Sequence, residues 1–189
     1  MRESLKPVVI VLACGLGRRF RASLHEAGVL EAEDNGWGNK LHARLGTRRV
    51  MDWTVQAARD SGLPVVVHEG QHFDGMGDSI AAAVASQPQA PAWLILPADL
   101  PLIQPSTIAQ VAQALQQHSV VLPMWCDQRA HPVGFDAECG EALMALSGEG
   151  GAAAVVQRFG AHRLRVNDVG VAQDVDTWAD LQRLRSILA

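Results

Sequence analysis

Val8-Val9-Ile10-Val11-Leu12-Ala13-Cys14-Gly15-Leu16-Gly17-Arg18-Arg19-Phe20 decides the fold of this chain. A short, wholly apolar run passes directly into a glycine-bearing turn and then a pair of arginines. A strand covered by helices on both faces cannot alternate polar and apolar residues, so the run reads as a buried parallel strand. Gly15 and Gly17 let the backbone turn sharply and bring its N–H groups close to a ligand. A helix starting there aims its positive end at the same place. The guanidinium groups make the turn a candidate polyphosphate cradle. Chemistry is therefore expected at the carboxyl edge of the first strand.

Working outward, short apolar runs alternate with helical patterns, the rhythm of an α/β protein. Strands are expected at Val65-Val66-Val67, Trp93-Leu94-Ile95-Leu96, Val120-Val121-Leu122 and Val133-Gly134-Phe135. Helices are expected over 50–61, over 80–86 with Asp78 or Ser79 as cap, over 105–117 with Pro105 in its first turn, over 138–146 and over 177–188. Residues 21–38 form the one long irregular stretch, and a loop of that length usually serves function. No repeat or low-complexity linker is present. The expected architecture is a single domain over 1–189: a three-layer α/β/α, Rossmann-like fold with a mostly parallel sheet and a small added β region.

Composition narrows the function. With 189 residues, 48% hydrophobic and 19% charged, the chain describes an ordinary globular domain with a sizeable core. A net charge of -4 argues against a general nucleic-acid binder. No apolar run approaches the roughly 20 residues that span a bilayer. Residues 1–7 lack the apolar core and cleavage site of a leader, so the expected location is the cytoplasm. Three cysteines without a C-x-x-C pair give neither a disulfide framework nor a zinc site.

Strand-end chemistry recurs at Asp99, between Ala98 and Leu100-Pro101-Leu102. Ligands of open parallel sheets bind outside the carboxyl ends of the strands. A carboxylate there suits a hard cation that keeps several waters and binds phosphates, as Mg²⁺ does; the plainer alternative is a turn or cap residue.

These residues carry a resemblance. The chain resembles the MobA-like nucleotidyltransferases, and among them most closely the molybdenum cofactor cytidylyltransferases. The L-A-A-G-x-S/G-x-R-M signature of that family is matched by Leu12-Ala13-Cys14-Gly15-Leu16-Gly17-Arg18-Arg19-Phe20, and its K-x-L lysine by Lys40 in Asn39-Lys40-Leu41. The L-x-G-x-P-L-x segment looks like Leu45-Gly46-Thr47-Arg48-Arg49-Val50, and G-M-x-x-S like Gly75-Met76-Gly77-Asp78-Ser79. D-x-P-L matches Asp99-Leu100-Pro101-Leu102, and R-G-H-P-V matches Arg129-Ala130-His131-Pro132-Val133. The last two, L-S-G-D-x-G-A and D-I-D-T-P-E-D-L, match Leu146 to Ala152 and Asp174 to Leu181. Each is weak alone, but together and in order they are specific.

The resemblance implies a Mg²⁺-dependent nucleotidyltransferase moving a nucleoside monophosphate, CMP from CTP, onto the terminal phosphate of a molybdopterin-type cofactor, with release of pyrophosphate. It implies Arg19, Lys40 and Asp99 as catalytic residues. The nucleotide site would comprise Leu12, Ala13, Cys14, Gly15, Gly17, Arg19 and Lys40, with Gly75 and Ser79 at the base or ribose. His131, Ser147, Gly148 and Gly150 would face the acceptor, and Asp99 and Asp176 the metal. A molybdoenzyme or its chaperone would be the partner; nucleic acid and membrane would not. The alternative is a non-catalytic carrier of nucleotide or molybdenum cofactor, but a pure carrier needs neither Lys40 nor Asp99 as a transfer site. An NAD(P)-dependent oxidoreductase fits poorly, because the opening turn lacks the third glycine of the dinucleotide fingerprint.

Other residues read more plainly. Arg18 is a solvated neighbour. His42, His68, His72, His118 and His162 lack metal-ligand spacing and read as surface residues. At least three of the five tryptophans read as core, and Cys14 as a small buried side chain. Cys14 stands where guanylyl-transferring relatives carry glycine, which favours CTP. Residues 21–38 separate Arg19 from Lys40 by more than the family pattern allows, and so read as an insertion acting as a lid over the nucleotide. Trp178 replaces the proline of the closing motif, leaving Asp176 or Thr177 to cap the last helix.

Overall fold

The computed structural model describes residues 6–15, 17–29, 38–69 and 75–188. The opening run is strand β1 (Val8–Leu12), buried at every position. Helix α1 (Arg18–Glu26) starts after Gly17, whose φ of 57° is the left-handed turn that a side chain would resist. A small antiparallel hairpin, β2 (Arg44–Leu45) with β3 (Arg48–Arg49), precedes α2 (Val50–Asp60). Then come β4 (Val65–His68), α3 (Met76–Ala85), β5 (Ala92–Pro97) and α4 (Pro105–Ala114). The second half holds β6 (Val120–Trp125), β7 (Gln128–Arg129) and β8 (Val133–Asp136). It continues with α5 (Gly140–Met144), α6 (Ala153–Phe159), β9 (His162–Arg165) and α7 (Trp178–Leu188).

Seven of these strands form one sheet in the order β4-β1-β5-β8-β6-β7, with β9 also pairing with β6. β1 lies parallel to β4 and β5, and β9 parallel to β6, whereas β8 runs against β5 and β6 and β7 against β6. The chain leaves β1 for β4 on one side and returns to β5 on the other. The gap beyond Leu12 and Pro97 is thus a topological switch point, the place where open sheets bind ligands.

Strand pleating divides the core. Val9, Val11, Leu94 and Leu96 face a layer that includes residues of α2 and α4, while Val8, Ile10, Leu12, Trp93 and Ile95 face one built on α3, α5 and α6. Both faces are covered, which explains why β1 shows no polar alternation. The three-layer α/β/α, mostly parallel architecture is therefore present. A third cluster joins Phe20 and Leu24 of α1 to Val175, Leu181 and Leu184 at the end of the chain.

Several local expectations change. Residues 21–26 are helical rather than irregular, because Phe20 and Leu24 bury one face of α1 against α7. Within the expected lid, residues 30–37 lie outside the described residues. Helix α3 begins at Met76, so Asp78 and Ser79 sit in its first turn instead of capping it. The Asp78 carboxylate instead accepts from the Gly148 amide at 2.8 Å. The expected 105–117 helix ends at Ala114, and 138–146 splits into a 3₁₀ turn, Ala137–Cys139, and the short α5. β8, β6 and β9 continue the main sheet, and the β2–β3 hairpin forms a small two-stranded sheet of its own. At α7 the cap is Thr177, whose hydroxyl accepts from the Asp180 amide at 3.2 Å while the Asp180 carboxylate accepts from the Thr177 amide at 2.8 Å.

Buried Asp168 ties the returning chain to the start of α4. Its carboxylate accepts from the Gln104 amide at 3.0 Å, the Thr107 hydroxyl at 2.7 Å and the Gly170 amide at 2.8 Å. Asp168→Ala leaves these buried donors unpaired. It is expected to lower unfolding free energy by about 3 kcal/mol in chemical denaturation; a change near zero would show that water or relaxation satisfies them.

Candidate active site

Four charged side chains meet beyond the carboxyl ends of β1 and β5. Lys40 Nζ donates to Asp99 Oδ2 at 2.6 Å and to Asp176 Oδ1 at 2.7 Å. Arg19 Nη1 contacts the other oxygen of Asp176 at 2.7 Å. Lys40, Asp99 and Asp176 are largely buried, with side-chain exposures of 14%, 16% and 21%, whereas Arg19 is 78% exposed. Solvent therefore weakens the Arg19 pair far more than the two lysine pairs.

Local backbone bonds explain the convergence. Ala98, just past β5, donates to the Leu12 carbonyl at 3.0 Å, and its own carbonyl accepts from the buried Thr54 hydroxyl at 3.0 Å. The Val175 amide donates to the Asp99 carbonyl at 3.0 Å, which sets Asp176 beside Asp99. Lys40 is held in a turn, with the Leu41 amide on Asn39 Oδ1 at 3.0 Å and the Met51 amide on the Leu41 carbonyl at 3.1 Å.

Burial alone would pull the Lys40 ammonium toward neutrality. The Asp99 charge, and the hydrogen bonds to Asp176 and Asp99, outweigh it and hold the lysine above its ordinary range. Asp174, although its side chain reaches solvent, is pushed above the carboxylate range by partial desolvation and then by the charges of Asp176 and Asp99. Burial draws His131 below the usual imidazole range despite the opposing pull of Asp99.

A cleft of about 430 Å³ opens beside this cluster, lined by Cys14, Gly15, Gly17, Arg19, Lys40 and Asp176. Arg18, Phe20, Gly75, Met76 and Glu149 complete its lining. The glycine turn, the two arginines that open α1 and the lysine thus share one opening. Two carboxylates from separate segments, both within reach of one ammonium, form a hard oxygen donor set at a place shaped for positive charge. They fit a divalent cation that keeps waters and phosphate oxygens as its remaining ligands. Among the described residues, no group of three His, Cys, Asp or Glu would hold a metal unaided.

Other expected site residues are distributed differently. Leu12 and His131 line a neighbouring apolar cavity. Ser79 is buried, its hydroxyl donating to the Gly75 carbonyl at 3.2 Å rather than facing the cleft. Gly148 bonds to Gly77 and Asp78, placing the Ser147–Gly150 stretch against α3. A Cβ on Gly75 would fall inside the Gly148 backbone, so that contact requires glycine. Cys14 is half-buried and its thiol donates to the His68 carbonyl at 3.1 Å. Trp93 is core, Trp53 and Trp178 pack on the third cluster and Trp125 on the first, while Trp37 and His72 lie outside the described residues. His118 and His162 stack at 3.8 Å, away from any metal-like group. Sequence reasoning missed Met76, Glu149 and Asp174 at the site. All three sit inside quoted motifs, where their neighbours drew the attention.

Comparison with known proteins identifies the family and the fold. A family model described as the MobA-like NTP transferase domain matches residues 9–166. Rv0371c from Mycobacterium tuberculosis H37Rv is 22% identical with a TM-score of 0.74, over 97% of this chain and 98% of that one. Its complex with manganese matches at 20% identity and a TM-score of 0.70, over 96% and 98%. Molybdopterin-guanine dinucleotide biosynthesis protein A from Archaeoglobus fulgidus is 16% identical with a TM-score of 0.66, over 96% and 98%. A comparison with the curated proteins finds no match. Among the described residues, no helix is long and apolar enough to cross a membrane.

Removing the lysine exposes what it balances. Lys40→Met leaves Asp99 and Asp176 facing each other half-buried, and is expected to cost about 2 kcal/mol of stability in chelator-treated buffer. Millimolar Mg²⁺ should restore much of the loss. Thermal unfolding with and without Mg²⁺ reads this directly; an equal loss in both buffers would separate the carboxylates from cation binding.

Proposed function

Since the chain belongs to the family of MobA-like NTP transferase domains, we propose that it moves CMP from CTP to the terminal phosphate of a molybdopterin-type acceptor, releasing pyrophosphate. The observation that carries this is the Lys40–Asp99–Asp176 cluster opening onto the glycine-turn cleft. A nucleotidyl transfer needs positioning and charge neutralisation more than covalent help from the protein. Asp99 and Asp176 would hold Mg²⁺, which, when bound, offsets negative charge on the α-phosphate and leaving group.

The backbone at Gly15 and Gly17, together with the N-terminal end of α1, would receive the phosphates. Arg19, already exposed at the mouth of the cleft, would clamp the outer phosphates. Lys40, a compact charge on a flexible stem, would serve the α-phosphate once released from the carboxylates. An acceptor phosphate oxygen attacks the α-phosphorus, forming one P–O bond. The bond from that phosphorus to the bridging oxygen of the β-phosphate breaks, and pyrophosphate departs with the electron pair. The attacking phosphate is anionic near neutral pH, so no protein base is required. A cytoplasmic setting, and delivery of the product to a molybdoenzyme or its chaperone, belong to the same reading.

Pyrophosphate release with CTP, GTP, ATP and UTP, with and without molybdenum cofactor, tests it. CTP is expected to give the highest kcat/KM, because the Cys14 side chain narrows the cleft where glycine would leave room. Asp99→Asn is expected to lower turnover at least about a hundredfold with the fold intact. Nucleotide binding without pyrophosphate release under any pairing would instead establish the carrier.

A further inference from the structure

Both oxygens of Asp176 and one of Asp99 are held by cations of the cleft. Lys40 Nζ lies 2.6 Å from Asp99 Oδ2 and 2.7 Å from Asp176 Oδ1, and Arg19 Nη1 lies 2.7 Å from Asp176 Oδ2. Two positive side chains thus already balance two negative ones. A divalent cation needs these same oxygens, and takes them at about 2.1 Å. It would sit closer to them than the ammonium does. An ammonium left on those atoms would then face a double positive charge at near contact, in a site largely closed to water. Lysine and metal therefore exclude each other at the carboxylates.

Displacing the lysine is costly on its own. Its two charge-assisted hydrogen bonds are largely buried, and water replaces such bonds only in part. A free cation therefore enters against Lys40. A polyphosphate changes the outcome, because its oxygens offer the ammonium and the guanidinium new partners in the cleft that both already line. With the metal on the carboxylates and phosphates on Lys40 and Arg19, every charge keeps an opposite. Lys40 has a flexible four-carbon stem for such a move, and Arg19, 78% exposed, moves against little resistance.

Resting on the nucleotidyl-transfer reading, we propose that Lys40 and Arg19 are exchange cations that decide which form of the substrate the site accepts. They hold the metal's oxygens until a metal–nucleotide complex arrives, so the site admits the complex and resists free cation. Lys40 carries most of this selection, because it is the more buried of the two and bridges both carboxylates, whereas Arg19 holds one oxygen of one. This role precedes, and is separate from, any contact Lys40 makes with a phosphate.

Titration of the full chain with Mn²⁺ in the absence of nucleotide, followed by water-proton relaxation, tests the selection. Lys40→Met is expected to bind Mn²⁺ at least about tenfold more tightly than the wild type, the scale of one hydrogen bond to a charged group. Arg18→Met removes a cleft charge that forms no ion pair with either carboxylate. It is expected to change the affinity by about threefold at most, the scale of an exposed charge. Acetylation by an amine-reactive ester then reads the lysine in the wild-type chain, whether or not the variant folds. Lys6, exposed with its ammonium on the Gly62 carbonyl, is the other lysine of the sequence and serves as the reference. Lys40 is expected to react slowly beside Lys6, faster once Mn²⁺ saturates the site, and slowly again when α,β-methylene-CTP is added. Equal Mn²⁺ affinity in the wild type and Lys40→Met, or an equal gain in Arg18→Met, would overturn the proposal. So would a Lys40 that stays protected at saturating Mn²⁺. Release by Mn²⁺ without renewed protection by the analogue would count instead against the phosphate role of Lys40, and so against nucleotidyl transfer, with the exclusion at the carboxylates intact.

Discussion

The ammonium of Lys40 between the carboxylates of Asp99 and Asp176 is the contact on which the site depends. Its partners stand 59 and 136 residues away along the chain, so the cluster exists only when three distant segments are in place. Two carboxylates that close repel each other, and half-burial strengthens the repulsion. The lysine offsets it, and in doing so marks a position where positive charge is stabilised whatever group supplies it.

Around that contact the backbone is fastened by groups with no part in chemistry. Thr54 holds the Ala98 carbonyl, Asp168 binds the returning chain to the start of α4, and Val175 hydrogen-bonds to Asp99. The result resembles the general arrangement of preorganised sites, in which neighbouring hydrogen bonds hold charged groups in place before a ligand arrives. The Gly75–Gly148 approach does similar work on the other side. By letting α3 and the loop after α5 touch backbone to backbone, it makes one wall serve both the polar cleft and the apolar cavity.

Much of this is legible in the sequence. An unbroken apolar strand followed by Gly15 and Gly17 announces a covered parallel sheet, because only burial on both faces permits such a run. Asp99 after a second apolar strand points to the same edge. The errors have a common origin in contacts that local pattern does not encode. Residues 21–26 read as irregular because their helix buries just two side chains, Phe20 and Leu24, and its partner α7 is far along the chain. Asp78 looked like a cap until Gly148 proved to be its partner.

The sequence by itself determined the alternation of strands and helices, the placing of glycine turns and carboxylates at strand ends, and the charge balance, since each rests on neighbours or on composition. It also carried the resemblance to the family whose model matches residues 9–166. Tertiary structure alone decided that Lys40 lies between Asp99 and Asp176, that buried Asp168 fastens the returning chain to the start of α4, and that an apolar cavity adjoins the charged cleft. Those features are distances between segments remote in sequence. They are set by strand order, by the switch of direction at β1, and by the close packing of two glycine-bearing backbones, none of which a linear pattern contains.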